Sequence, residues 1–335
     1  MSEYHEVQKP KSLFSRIFQS KFAFIINIIL FGATFFTTTI AGVSWIFGPA
    51  AAMNLDNFHI GLPYSLSILF VLACHEFGHY FAARYHKVKA TLPFFIPFPL
   101  TEIFLNFGTL GAVIKTQSPI STRRAMFDIG VAGPIAGFIA CVLLLVYGFL
   151  HLPPAEFILT IHPDYFIKSG ETDSLALEFG SNLLYSGMQF LLTNPSVEFV
   201  PPMSEIYHYP FLCVGWFGLF VTAMNLIPVG QLDGGHIFYS MFGTNLHRKV
   251  ADVTFALLMI LGVTGFASEI FNLNFPLGWS GWIFWALILR FLIKLYHPEI
   301  YDPVGLDQKR KLIGYLAIVI FIISFTPVPF YIKFW

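Results

Sequence analysis

Apolar residues fall in long unbroken blocks along this chain. The first runs from Phe22 to Phe47, FAFIINIILFGATFFTTTIAGVSWIF. A bilayer crossing needs about 20 apolar residues, so this block is long enough to span, and it is too long for a signal-peptide core. Similar blocks fall near Ile60–Tyr85, Ala125–Leu150, Tyr209–Pro228, Val250–Ile270, Leu277–Leu295 and Leu312–Trp335. The pattern predicts an all-α polytopic membrane protein with about 6–7 transmembrane helices. Pro327 and Pro329 predict an irregular end to the last span. One greasy stretch, Ala90 to Pro119, does not read as helix, because Pro93, Pro97, Pro99, Gly108 and Gly111 interrupt it. Its Gly108–Lys115 portion is strand-like. Non-helical backbone at membrane depth survives only where protein covers it or water lines it, so this stretch predicts a re-entrant, β-hairpin-like segment.

Composition agrees with a lipid environment. The 335 residues are 56% hydrophobic and 11% charged, against roughly 25% charged in soluble domains. Basic and acidic side chains balance at 19 each, which gives no signal for nucleic acid. Their placement is more telling. Lys9, Lys11, Arg16 and Lys21 precede the first span, and Arg84, Lys87, Lys89, Lys115, Arg123 and Arg124 lie between the second and third. Arg248, Lys249, Arg290, Lys294, Lys309, Arg310 and Lys311 continue the series, leaving only Lys168 and Lys333 for the opposite side. The positive-inside rule then puts the N-terminus in the cytoplasm and the acidic segment His151–His208 outside. Cys74, Cys141 and Cys213 all sit in apolar stretches without C-x-x-C spacing and read as small core residues.

Chemistry enters in the second span, which contains His75-Glu76-Phe77-Gly78-His79. Two histidines four apart share one helix face, about 6 Å apart, as two ligands of a tetrahedral zinc ion require. The intervening Glu76 is placed to take a proton from water at the metal. Ionisable side chains within a span are costly and mark function. A third ligand is needed, and Asp233 is the candidate. It ends the fourth block in Asn225-Leu226-Ile227-Pro228-Val229-Gly230-Gln231-Leu232-Asp233-Gly234-Gly235-His236. Both blocks run inward, so topology brings His75, His79 and Asp233 to similar depth. Helix capping is the structural alternative for Asp233. His236 reads either as part of the site or as a satisfied core histidine. Asp128 reads as an interfacial ion pair beside Arg123 and Arg124, and Gly133, Pro134 and Gly137 as a close-packing surface. His151, His162 and His208 edge the outer segment and are the candidates there for a second metal site.

The segments HEFGH (75–79), FDIGVAGPIAGF (127–138) and NLIPVGQLDGGH (225–236), in that order, resemble the site-2 protease family of intramembrane zinc metalloproteases, and within it the PDZ-less subgroup. The resemblance covers roughly Ile60 to Phe242. It implies one zinc ion per chain held by His75, His79 and Asp233, Glu76 as catalytic base, and Asn225 at the substrate backbone or reacting carbonyl. It implies a membrane-protein substrate with a transmembrane helix, hydrolysed within or near that helix. The chain is then expected to comprise a cytoplasmic tail (1–21), a first span and outer loop (22–59), a catalytic membrane core (60–242) that includes the re-entrant segment 90–119 and the extracytoplasmic loop 151–208, and C-terminal spans (243–335), in a bacterial inner membrane. A membrane metal carrier also needs buried histidine and aspartate but not the paired glutamate. An inactive relative that binds membrane segments is opposed by the complete ligand set.

Overall fold

The computed structural model describes residues 22–99, 105–167, 176–271, 278–300 and 302–333. The stretch 1–21 with its four basic residues, residues 100–104 of the 90–119 stretch, and Lys168, Glu171 and Asp173 lie outside the described residues. Helices occupy all seven predicted blocks: α1 (Ala23–Phe47), α2 (Leu62–Tyr85), α3 (Arg123–Leu150), α6 (Pro210–Asn225), α7 (Asp233–Phe271, broken by a kink at Gly243), α8 (Gly281–Ile288) and α9 (Gln308–Ser324). Two short helices, α4 (Glu156–Ile161) and α5 (Leu183–Leu192), lie in the 151–208 segment. Among the described residues, four helical stretches are long and apolar enough to cross a membrane: α1, Leu55–Tyr85, α3 and α7. The others are shorter than a full crossing. α8 continues as a π-turn over Leu289–Ile293.

Exposed apolar side chains cover the outside of the bundle. On α1 they include Phe24, Ile28 and Ile29, on α7 Leu257, Ile260 and Val263, and on α9 Leu312, Leu316 and Val319. Soluble surfaces do not carry contiguous apolar area on this scale, whereas lipid accepts it. Inside, α3 is the central helix, packed against α2, α6 and α7. Glycines on its neighbours make that possible. A Cβ on Gly78 of α2 would lie 2.6 Å from Ala132 O of α3, and one on Gly215 of α6 would lie 2.6 Å from the Leu145 side chain. Small residues thus bring the backbones together, as in membrane helix pairs generally.

The 90–119 stretch forms an antiparallel hairpin, β1 (Phe94–Pro97) paired with β2 (Thr109–Val113), with a register irregularity between Phe95 and Pro97. α1 holds it in place. Thr37 Oγ1 donates to Gly108 O at 2.6 Å, Trp45 Nε1 donates to Asn106 O at 2.9 Å, and Phe31 meets Phe95 edge-on. Gly108 has φ +75°, and a Cβ there would run into the α1 backbone at Thr37 and Thr38. The first helix, which carries no motif, is therefore the hairpin's support.

The two ends of the bundle are pinned differently. At one end, Arg310 at the start of α9 grips Asp128 with two bonds, Nε to Oδ1 at 2.8 Å and a terminal nitrogen to Oδ2 at 2.6 Å, while His86 after α2 lies 2.7 Å from the same Oδ2. Asp128 is thus an ion-pair residue as expected, with Arg310 and His86 rather than Arg123 and Arg124 as its partners. At the other end the last segment turns back after Ser324. Its strand β4 (Phe330–Lys333) pairs antiparallel with β3 (Ala176–Phe179) of the 151–208 segment. Trp216 Nε1 donates to Gly180 O at 2.7 Å and Trp282 Nε1 to Pro327 O at 2.6 Å, which ties this small sheet to α6 and α8.

Candidate metal centre and active site

His75 and His79 lie on the α2 face that meets α3, and both are buried. Asp233 arrives from the first residue of α7, after a tight turn. There Gly230 adopts φ +58° and donates its N–H to Leu295 O at 2.9 Å. Gly234 and Gly235 press directly on the carbonyls of Leu226, Val229 and Gly230, where any Cβ would collide. This compact turn turns the chain back so that the Asp233 carboxylate faces α2. Its Oδ2 lies 3.5 Å from His75 Nε2 and 3.3 Å from His79 Nε2, and the two Nε2 atoms are 3.0 Å apart.

Such a triangle fits one small cation. A tetrahedral zinc ion with bonds of about 2.0–2.1 Å holds its ligand atoms about 3.3–3.4 Å apart. The protonation pattern fits as well. His79 Nδ1 lies 2.7 Å from Ile129 O, and a carbonyl only accepts, so Nδ1 carries the proton and Nε2 offers its lone pair. This is the usual outer support of a metal-binding histidine.

The wall behind the ligands is α3. A Cβ on Gly133 would overlap the His79 ring, one on Gly137 would sit 3.2 Å from His75 Nδ1, and one on Gly130 would sit 3.0 Å from His236 Cβ. Gly133 and Gly137, expected to serve helix packing, thus also make room for the ligand side chains.

A cavity of about 620 Å³ opens on the triangle. Glu76, Asn225, His236, His297, the β2 residues Ala112 and Val113, and Ile114 just after them all line it. The structure thus brings together every residue singled out for the site, with Asn225 at the C-terminal end of α6. It also settles how His236 is bonded. His236 Nδ1 lies 2.8 Å from His297 Nε2, and His297 Nδ1 faces Pro298 O. The carbonyl fixes the proton on His297 Nδ1, so His297 Nε2 accepts from His236 Nδ1. Neutral His236 then keeps an unprotonated Nε2. His297 was not foreseen, because a lone His-Pro pair after the sixth block carries no spacing signal that links it to positions 225–236. The Ile129 carbonyl was equally invisible, being backbone.

A second group of donors lies at the β3–β4 end. His162, the C-cap of α4, and His208, which ends a single 3₁₀ turn before α6, meet around Glu205. Burial pushes the Glu205 carboxyl up to about 7 and the His208 imidazole down to about 4. His151 does not join them. Its ring stacks on Tyr147 and its Nδ1 faces Tyr147 O. All three cysteines are free.

A helical membrane bundle with a His-His-Asp centre and an adjacent glutamate defines the class, and the sequence comparisons agree with it. Residues 63–264 match the profile of Peptidase family M50, the site-2 protease family, and the chain belongs to that family. It is similar to the probable zinc metalloprotease EGY2, chloroplastic, of Arabidopsis thaliana, with 28% identity over 83% of this chain and 44% of that protein. It is also similar to the probable zinc metalloprotease EGY1, chloroplastic, of Oryza sativa subsp. japonica, with 33% identity over 65% of this chain and 34% of that protein. The chain spans less than half the length of these relatives.

Proposed function

We propose that this protein is an intramembrane zinc metalloprotease that hydrolyses peptide bonds within or near transmembrane segments of membrane proteins. The observation that carries this reading is the His75–His79–Asp233 triangle, with Glu76 on the same helix and all four residues facing one cavity. His75 Nε2, His79 Nε2 and Asp233 Oδ2 would hold the zinc. When bound, zinc supplies Lewis acidity to the scissile carbonyl and lowers the pKa of water at the site. Glu76 takes the proton of the attacking water and returns it to the leaving amine. Asn225 holds the substrate main chain or the oxygen on which negative charge develops.

A transmembrane helix hides its amides in hydrogen bonds between residues i and i−4, so the substrate must unwind locally. β2 and Ile114 reach the cavity beside Glu76. The hairpin acts as a re-entrant template to which the opened substrate adds as a strand. The bundle crosses the membrane about 6–7 times, with its shorter helices α6, α8 and α9 completing the count. The basic side and the N-terminus face the cytoplasm, and the 151–208 segment lies outside. The bacterial inner membrane remains the proposed location, although the two relatives' names place those proteins in chloroplasts.

The test is purified protein in detergent with a membrane-embedded model substrate. Wild type cleaves, a zinc chelator stops cleavage, and Glu76→Gln abolishes cleavage while retaining the metal. Cleavage at the wild-type rate by Glu76→Gln would remove the base assignment.

A further inference from the structure

We propose that His162, Glu205 and His208 form a second metal site, at the β3–β4 end of the molecule, that takes a zinc-class divalent cation. The three donor atoms form a triangle: His162 Nε2 to His208 Nε2 is 3.3 Å, His208 Nε2 to Glu205 Oε2 is 3.4 Å, and His162 Nε2 to Glu205 Oε2 is 3.6 Å. These distances match the edge of a tetrahedral zinc shell, about 3.3–3.4 Å. The α2–α7 centre has edges of 3.0, 3.3 and 3.5 Å, so the two triangles are nearly the same size.

The resemblance extends to the outer support. His208 Nδ1 lies 2.7 Å from Ile46 O at the end of α1, as His79 Nδ1 lies 2.7 Å from Ile129 O. The carbonyl fixes the proton on Nδ1 and leaves His208 Nε2 as a lone pair aimed at the other two donors. Glu205 supplies the independent sign. Its residue is 9% exposed, and its Oε2 is buried and accepts no hydrogen bond. A buried carboxylate oxygen without a donor is costly, and a cation at the centre of the triangle removes that cost. Two imidazoles and one carboxylate suit zinc over magnesium or calcium, which prefer all-oxygen shells. The His162 side chain is 43% exposed, so water can reach a fourth position. With the ion in place, α4 is fastened to the turn that opens α6, and both to the end of α1.

The test is metal content per chain. Full-length protein in detergent is stripped with chelator, reloaded with zinc chloride, desalted and assayed by mass spectrometry. Wild type is expected to hold two equivalents. His162→Ala, Glu205→Gln and Asp233→Ala each hold one, and the His162→Ala/Asp233→Ala double variant holds none. One equivalent in wild type that survives both His162→Ala and Glu205→Gln overturns the second site. One equivalent that His162→Ala removes and Asp233→Ala does not supports it, and instead counts against the α2–α7 centre. Cobalt loading of Asp233→Ala gives a readout independent of zinc retention. Visible absorption of tetrahedral cobalt, lost on adding Glu205→Gln, supports the site, and no such absorption overturns it.

Discussion

Gly133 of α3 faces the His79 imidazole so closely that a β-carbon on it would overlap the ring at Nε2, the atom nearest Asp233. The absent side chain is what allows a histidine to turn its lone pair toward the other two donors inside a tightly packed helix pair. Gly133→Ala is expected to push His79 out of the triangle, to cost about 1–3 kcal/mol through overpacking, and to abolish metal retention at this centre. Gly137→Ala meets His75 only at 3.2 Å and is expected to be milder, with weakened rather than lost binding. Metal titration and thermal unfolding in detergent of both variants check the order.

His297 holds the proton arrangement of His236 without itself being one of the donor residues. His297→Ala leaves His236 Nδ1 without its partner in a buried place. It is expected to cost about 1–3 kcal/mol while metal content stays at the wild-type level. Metal loss equal to that of Asp233→Ala would show His297 to be a ligand instead.

Thr37 is the hydrogen-bond link from α1 to the hairpin at Gly108. Thr37→Val keeps the shape and deletes the donor. It is expected to cost about 1 kcal/mol, to speed amide exchange over Thr109–Ile114, and to lower cleavage with metal content unchanged. Hydrogen-exchange mass spectrometry reads the first effect, and the substrate assay reads the second.

Arg310 and Asp128 join α9 to α3 in a fork geometry that lysine lacks. Both side chains are mostly buried, so Arg310→Ala is expected to cost about 2 kcal/mol, and Arg310→Lys to recover less than half of that. Thermal unfolding of the pair, with Asp128→Asn to complete a double-mutant cycle, measures the coupling.

The chain's chemistry was legible wherever spacing along one element determines spacing in three dimensions. His75 and His79 are one helical turn apart, so their convergence follows from the sequence. Asp233 required only the expectation that the second and fourth apolar blocks run the same way and end at similar depth. The partners of Asp128 were not legible, because Arg310 is 182 residues away and nearby Arg123 and Arg124 were equally plausible by charge alone. The donors at the β3–β4 end show the same limit. His162 and His208 stood out as histidines, whereas Glu205 was one acidic residue among several in its segment, and only folding set it between them. The hairpin's proline and glycine pattern announced non-helical backbone, but its reliance on α1 came from a threonine hydroxyl and a tryptophan N–H that no local pattern marks.

The pairing of β3 with β4 also orders events in time. Among the described residues, 176–179 find their strand partner in residues 330–333, and Gly180 accepts the Trp216 N–H while its own N–H donates to Pro329 O. A ribosome delivers the first of these segments long before the second. During synthesis, the strand at 176–179 must wait for its β4 partner until the chain has been made past residue 330. Completion of that two-stranded zipper is thus a checkpoint on assembly. A chain stalled after α8 would expose an unpaired edge, the kind of feature on which quality-control proteases and chaperones act.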